Sequence, residues 1–280
     1  MSSVPNIDPR TVEGFGREWS AFDQQALRGD EFDRLFDRYF HLFPWEELPA
    51  GAEGFDLGCG SGRWANEVAP RVGLLHCIDP SREALKVARR RLAGQASVRF
   101  HEAAADTITL ADGSQDFGYS LGVLHHVPDT RRALRDCVRK LKPGAPFLLY
   151  LYYALDGRPP WFRRLWRASD LLRRGIHRLP FPLRKAVTAA IAAGVYWPLA
   201  RAARASERLG WDASSLPLGS YRHTSFYTMR TDALDRFGTR LEQRFSRPEV
   251  AAMMTASGLT DLRFSEREPY WVAVGRRSAP

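Results

Sequence analysis

From Gly54 to Tyr153 short apolar runs alternate with longer amphipathic ones, the pattern of βαβ units and a parallel sheet. Phe55–Leu57 reads as the end of a first strand, Leu74–Ile78 as a second, Val98–Phe100 as a third and Phe117–Leu121 as a fourth. Phe147–Tyr152 is apolar without alternation, as a strand covered on both faces requires, and makes a fifth. Between them Ser81 caps a predicted helix that ends at Gly94. Asp129-Thr130 opens another, with Leu134, Val138 and Leu141 on one face and Pro143-Gly144 as its stop. After Asp156 the pattern changes to two helical, Arg-rich stretches, Trp161–Arg174 and Leu183–Arg208. In the second, Val187, Ile191, Val195 and Leu199 recur every four residues as an apolar stripe. A polar loop around Ser214–Ser220 leads to Tyr221, Phe226 and Tyr227; Ser246-Arg-Pro-Glu249 has the form of a capping box for a helix ending at Gly258. Strands are then expected at Leu262–Ser265 and Trp271–Gly275, while the aromatic residues from Phe15 to Phe43 predict helices packed over one end of the domain. The expected organisation is a helical cap (1–50), a core (51–153), an insert (154–228) and a C-terminal completion of the sheet (229–280).

Composition adds two constraints. With 280 residues, 44% hydrophobic and 12% aromatic, the chain can bury a sizeable core, which excludes a disordered protein. Three separate cysteines (Cys59, Cys77, Cys137) exclude a disulfide framework and a Cys-rich zinc site. The first residues have no apolar run of the secretory kind, and the longest charge-free run, Ala186–Ala200, is shorter than the roughly 20 residues of a membrane span, so a cytoplasmic location is expected. The net charge of +9 is localised: Ala154–Arg208 holds twelve Lys or Arg against Asp156, Asp170 and Glu207, which accounts for the whole excess. Electrostatic arguments about partners therefore concern that segment.

The sharpest motif is Phe55-Asp-Leu-Gly58-Cys-Gly60-Ser-Gly62, after one predicted strand and before a helical segment. Glycines there let the backbone approach a ligand closely. A dinucleotide-binding fingerprint needs GxGxxG, but Arg63 stands where its last glycine belongs, and acidic Asp56 suits an ammonium better than a pyrophosphate. Together with Asp79 at the end of the second strand, Leu124-His-His-Val-Pro-Asp129 after the fourth and Leu141-Lys-Pro-Gly144 before the fifth, the chain resembles a class I S-adenosylmethionine-dependent methyltransferase. It is most similar to the small-molecule and quinone-type members. The resemblance covers Gly54–Tyr153 and the last thirty-odd residues.

That resemblance implies a doubly wound, Rossmann-like α/β fold whose seven-stranded sheet is parallel except for its last strand. It also implies S-adenosylmethionine as cofactor, S-adenosylhomocysteine as product and no metal. Gly58, Cys59, Gly60 and their backbone would lie against the methionine part of the cofactor, with Asp56 near its amino group. Asp79 and Pro80 would lie at the ribose, and Leu121 would end the fourth strand beside the cofactor. The family's adenine-binding Asp falls on Ala104 here, so either Asp106 replaces it or backbone at Ala105 and Asp106 does the work. His125 and His126 are candidate bases for an acceptor proton, the alternative being that they orient the turn before Pro128. Tyr152, Tyr153, His223, Tyr227 and Arg230 are candidate substrate contacts, the alternative being plain core. No motif of adenine or amide N-methylation follows the fourth strand, and no Pro-Cys dipeptide supplies a cytosine nucleophile.

The expected function is methyl transfer to a small or lipophilic acceptor, O-methylation being preferred over C- or N-methylation. A cofactor-binding protein with a non-methylating role, and a membrane-surface interaction protein on this scaffold, stay open. The basic insert has two readings: an Arg-rich cap packed on the core or on a second subunit as a homodimer seam, or a peripheral contact with anionic membrane. RNA binding is disfavoured for want of a recognisable motif.

Overall fold

The apolar runs form one seven-stranded sheet in the computed structural model, which describes residues 5–22, 29–213 and 216–279. The strands are β1 (Glu53–Leu57), β2 (Leu74–Asp79), β3 (Val98–Glu102), β4 (Phe117–Leu121), β5 (Pro146–Tyr150), β6 (Leu259–Phe264) and β7 (Val272–Arg277), ordered β3-β2-β1-β4-β5-β7-β6. All neighbours from β3 to β5 pair in parallel; β7 runs antiparallel to both β5 and β6. Phe55, Phe117, Tyr119, Phe147, Leu148 and Leu149 are wholly buried, so the central strands are covered on both faces.

The helices are α1 (Pro9–Ala21), α2 (Asp30–Phe40), α3 (Ala65–Val68), α4 (Arg82–Arg91), α5 (Thr130–Lys140), α6 (Pro160–Ile176), α7 (Phe181–Ile191), α8 (Trp197–Arg208), α9 (Phe226–Gly238) and α10 (Arg247–Ala256). Local chemistry sets their starts. Ser81 Oγ accepts from the Ala84 amide, Asp129 Oδ1 accepts from the Arg132 amide, and Glu249 closes a capping box with Ser246.

The chain divides into two units. The second holds Gly157–Arg240 and the start of α2 through Leu35; the rest of the described chain forms the first. The insert thus extends past the expected limit at residue 228, because α9 packs on α6 and α7. Glu31 of α2 joins it by accepting from the Ser225 amide and the Thr228 hydroxyl, each at 2.8 Å. Inside this unit Asp170 accepts from Arg173 Nε at 2.7 Å and Arg174 Nε at 3.0 Å, while Arg173 Nη1 donates to the Thr239 and Arg240 carbonyls.

Three local expectations change. The fifth strand stops at Tyr150, opposite Val272, with one further pair of backbone hydrogen bonds between Leu151 and Trp271; Tyr152 and Tyr153 lie beyond it, Tyr153 bridged to Phe245. The Val187-Ile191-Val195-Leu199 stripe is not the packed face: Val195 and Leu199 are exposed, whereas Thr188, Ala192, Tyr196, Ala200 and Ala203 are buried. That face packs on α9, where Ala192, Tyr196 and Ala200 meet Met229, Ala233 and Phe237, with Ile191 of the predicted stripe at its edge. Finally, the charge-free run sits in a continuous helical segment, Phe181–Arg208, of 28 residues, long and apolar enough by length and composition to cross a membrane. Of the loop at Ser214–Ser220, Ser214 and Ser215 lie outside the described residues.

Candidate active site at the carboxyl ends of the strands

The strand order reverses between β1 and β4, and the loops leaving these two strands open a crevice at their carboxyl ends, where open α/β sheets bind ligands. The β1 loop is pinned to β2: the Gly58 and Cys59 amides both donate to the Ile78 carbonyl, at 2.7 and 3.1 Å. Gly58 has φ +77° and a Cβ there would meet the Val123 side chain, so only glycine fits. Asp79 braces the same loop. Its Oδ2 accepts from the Gly60 amide at 3.0 Å and its Oδ1 from the Ser81 amide at 2.8 Å. Cys59 is buried, Pro80 half-buried, and Leu121 ends β4 opposite Tyr150.

Helix α1 roofs this crevice. Trp19 lies over Gly60, where a Cβ would stand 2.9 Å from Trp19 Nε1, and the Phe15 ring packs 4.9 Å from that of His126.

Asp56 is 2% exposed and its Oδ2 has no hydrogen-bond partner among the described residues. Burial pushes its carboxyl up to about 8, and the nearby Asp79 adds to the rise. Burial likewise lifts Asp79 to about 6, against the opposing Ser81 and Gly60 amides. Asp106 offers a second orphaned acceptor: Oδ2 is taken by the Asn6 amide at 2.8 Å and by Arg132 at 3.3 Å, while buried Oδ1 has no partner among the described residues. Ala105 is buried beside it.

The His pair divides. His125 is fully buried, stacks 3.7 Å from Tyr152 and has no hydrogen bond from either ring nitrogen among the described residues; desolvation, with His126 and Arg244 adding to it, holds its pKa well below the usual value. It packs the site against Tyr152. His126 Nδ1 donates to the Leu241 carbonyl at 2.7 Å, which in the neutral ring leaves the lone pair on Nε2, itself buried and without a hydrogen bond among the described residues. Arg244 lies over the Tyr152 ring at 5.1 Å and donates to the Tyr153 carbonyl, while Tyr153 packs on Trp271. His223, Tyr227 and Arg230 belong to the second unit: exposed His223 pairs with Glu207 at 2.7 Å, and the other two stand on α9. The contacts of Arg244 with Tyr152 and of Trp19 with Gly60 had no signal in the sequence.

Residues 55–149 match the family model described as a methyltransferase domain. Over that stretch, about a third of its length, the chain is similar to a methyltransferase domain. An uncharacterized 37.1 kDa protein in transposon Tn4556 of Streptomyces fradiae is 34% identical over 114 residues, 40% of this chain and 31% of that one. A ubiquinone biosynthesis O-methyltransferase of Cupriavidus pinatubonensis is 30% identical over 148 residues, 50% of this chain and 57% of its own. The chain thus spans about a third and just over half of these two relatives. A solved S-adenosylmethionine-dependent methyltransferase of Methanosarcina mazei superposes with a TM-score of 0.52 at 20% identity, over 85% of this chain and 99% of that one, which supports the fold.

The residues of this stretch, 55–149, present acceptors that fit S-adenosylmethionine. S-adenosylmethionine presents an ammonium, two ribose hydroxyls and an adenine amino group, all donors. The stretch offers the orphaned Asp56 Oδ2, the Asp79 carboxylate and the orphaned Asp106 Oδ1, all acceptors. Among the described residues no group of His, Cys, Asp and Glu could hold a metal.

The fit has a sign-defined pH dependence. Asp56 is mostly protonated at neutral pH in the free protein, and an ammonium beside it favours the carboxylate, so binding releases a proton. Affinity for S-adenosylhomocysteine should therefore rise from pH 6 to about 7.5, by up to about ten-fold per unit, staying below the ~7.7 at which an α-amino group titrates. Calorimetry in buffers of different ionisation enthalpy measures the proton; Asp56→Asn should flatten the pH dependence.

Proposed function

We propose that this chain methylates a hydroxyl of a small or lipophilic acceptor. The observation that carries the reading is His126, fixed by the Leu241 carbonyl in the tautomer that turns Nε2 into a proton acceptor, beside the crevice that suits the cofactor. When bound, S-adenosylmethionine supplies a methyl group on a sulfonium, open to in-line displacement. The protein's tasks are alignment, exclusion of water and removal of the hydroxyl proton. Asp56, the glycine loop and Asp79 fix the donor end; α1 shields the crevice from water; His126 takes the proton. The aromatic wall of Tyr150, Tyr152 and Phe15 favours an apolar or aromatic acceptor over a charged one. The similarity to a ubiquinone biosynthesis O-methyltransferase supports oxygen as the nucleophile.

The test is S-adenosylhomocysteine release with matched aromatic alcohols, phenols, amines and thiols, with products identified by mass. Turnover confined to hydroxyl acceptors is the expected result; turnover confined to amines overturns the oxygen assignment.

A further inference from the structure

We propose that the second unit docks on anionic phospholipid bilayers through the outer face of α6, with the exposed apolar side chains of α7 and α8 adding to the contact. On α6, Trp161, Leu165 and Leu172 follow one another at spacings of four and seven residues and form a single stripe, 53%, 53% and 61% exposed. The adjoining face is the packed one, carrying Phe162, Trp166, Asp170 and Arg173. A helix that has already buried one face and still exposes tryptophan and leucine on another has surplus apolar surface. The large apolar side chains that stand exposed among the described residues, from Trp161 to Phe226, all fall in this unit.

Charge identifies the occupant. Arg164 borders the stripe on the side away from the packed face, Arg167 and Arg163 follow it round the exposed surface of the helix, and none of the three forms an ion pair with any described residue. The one acid on α6, Asp170, is buried against Arg173 and Arg174. A twofold contact between two copies centred here would set arginines against arginines. An anionic lipid surface instead meets the arginines with headgroup phosphates and the stripe with acyl chains. The 28-residue helical segment lies on that surface rather than crossing it, because its packed face is held by α9, which would carry Asp232, Asp235 and Arg236 into hydrocarbon.

Vesicle flotation of the full chain tests this, using phosphatidylcholine alone and phosphatidylcholine with about one-third phosphatidylglycerol. The protein should float with the anionic vesicles and stay behind with the neutral ones. Replacing Arg163, Arg164 and Arg167 together by Gln should lower partitioning by roughly 100-fold, at about five-fold per charge. Trp161→Ser with Leu165→Ser and Leu172→Ser should abolish flotation while thermal melts stay at the wild-type value, since these side chains are exposed. Failure of the wild type to float, or arginine variants that float unchanged, overturns the proposal. A dimer by light scattering that the serine variant converts to monomer, without wild-type flotation, reassigns the stripe to a second copy. Tighter binding to an unstructured RNA oligonucleotide than to anionic vesicles reassigns the arginines to nucleic acid.

Discussion

Replacing His126 by Gln should lower kcat by about 10²–10⁴-fold while cofactor affinity stays within about two-fold of wild type. A glutamine can still donate to the Leu241 carbonyl, the bond that His126 Nδ1 makes at 2.7 Å, so the packing against Phe15 is retained and only the proton acceptor is lost. Acceptors whose hydroxyl is already ionised at neutral pH should recover most of the lost rate, which a merely structural role for His126 does not explain. His125 cannot substitute: it is fully buried, stacked on Tyr152, and kept neutral by its surroundings. Activity of His126→Gln within about three-fold of wild type on a weakly acidic hydroxyl would remove His126 as the base.

The sheet was legible because its strands are buried on both faces and because caps such as Ser81, Asp129 and the Ser246–Glu249 box announce themselves within four residues. The glycine loop and Asp79 were legible for the same reason: close backbone approach and a carboxylate at a strand end leave a short, ordered motif. What escaped comes from contacts far apart in sequence. Trp19 over Gly60, Arg244 over Tyr152 and Asn6 on Asp106 join positions that no local periodicity connects. The helical stripe failed for a different reason. In Phe181–Arg208 both faces are apolar, so periodicity finds Val195 and Leu199, while packing against α9 selects Ala192, Tyr196 and Ala200. Likewise Tyr152 and Tyr153 continue an apolar run whose strand is ended by the extent of β7 at Val272 and not by their own chemistry.

Asp79 carries the central claim, because two functions converge on one carboxylate. Its oxygens hold the Gly60 and Ser81 amides at 3.0 and 2.8 Å, which shapes the loop, and each keeps a lone pair for a ribose hydroxyl. Hydrogen bonds to an ionised acceptor contribute about 1.5–3 kcal/mol each, so losing two weakens binding by roughly 100-fold or more. Because burial lifts Asp79 to about 6 and the ionised form is the one that accepts, wild-type binding should also fall as pH drops below that value. The direct measurement is a calorimetric titration of the wild type and Asp79→Ala with S-adenosylmethionine and S-adenosylhomocysteine, with circular dichroism establishing that both are folded. Binding in the roughly micromolar range by the wild type, lost by about 100-fold or more in the variant, is the predicted result. No binding of either ligand by the folded wild type, or equal binding by both proteins, would contradict the account.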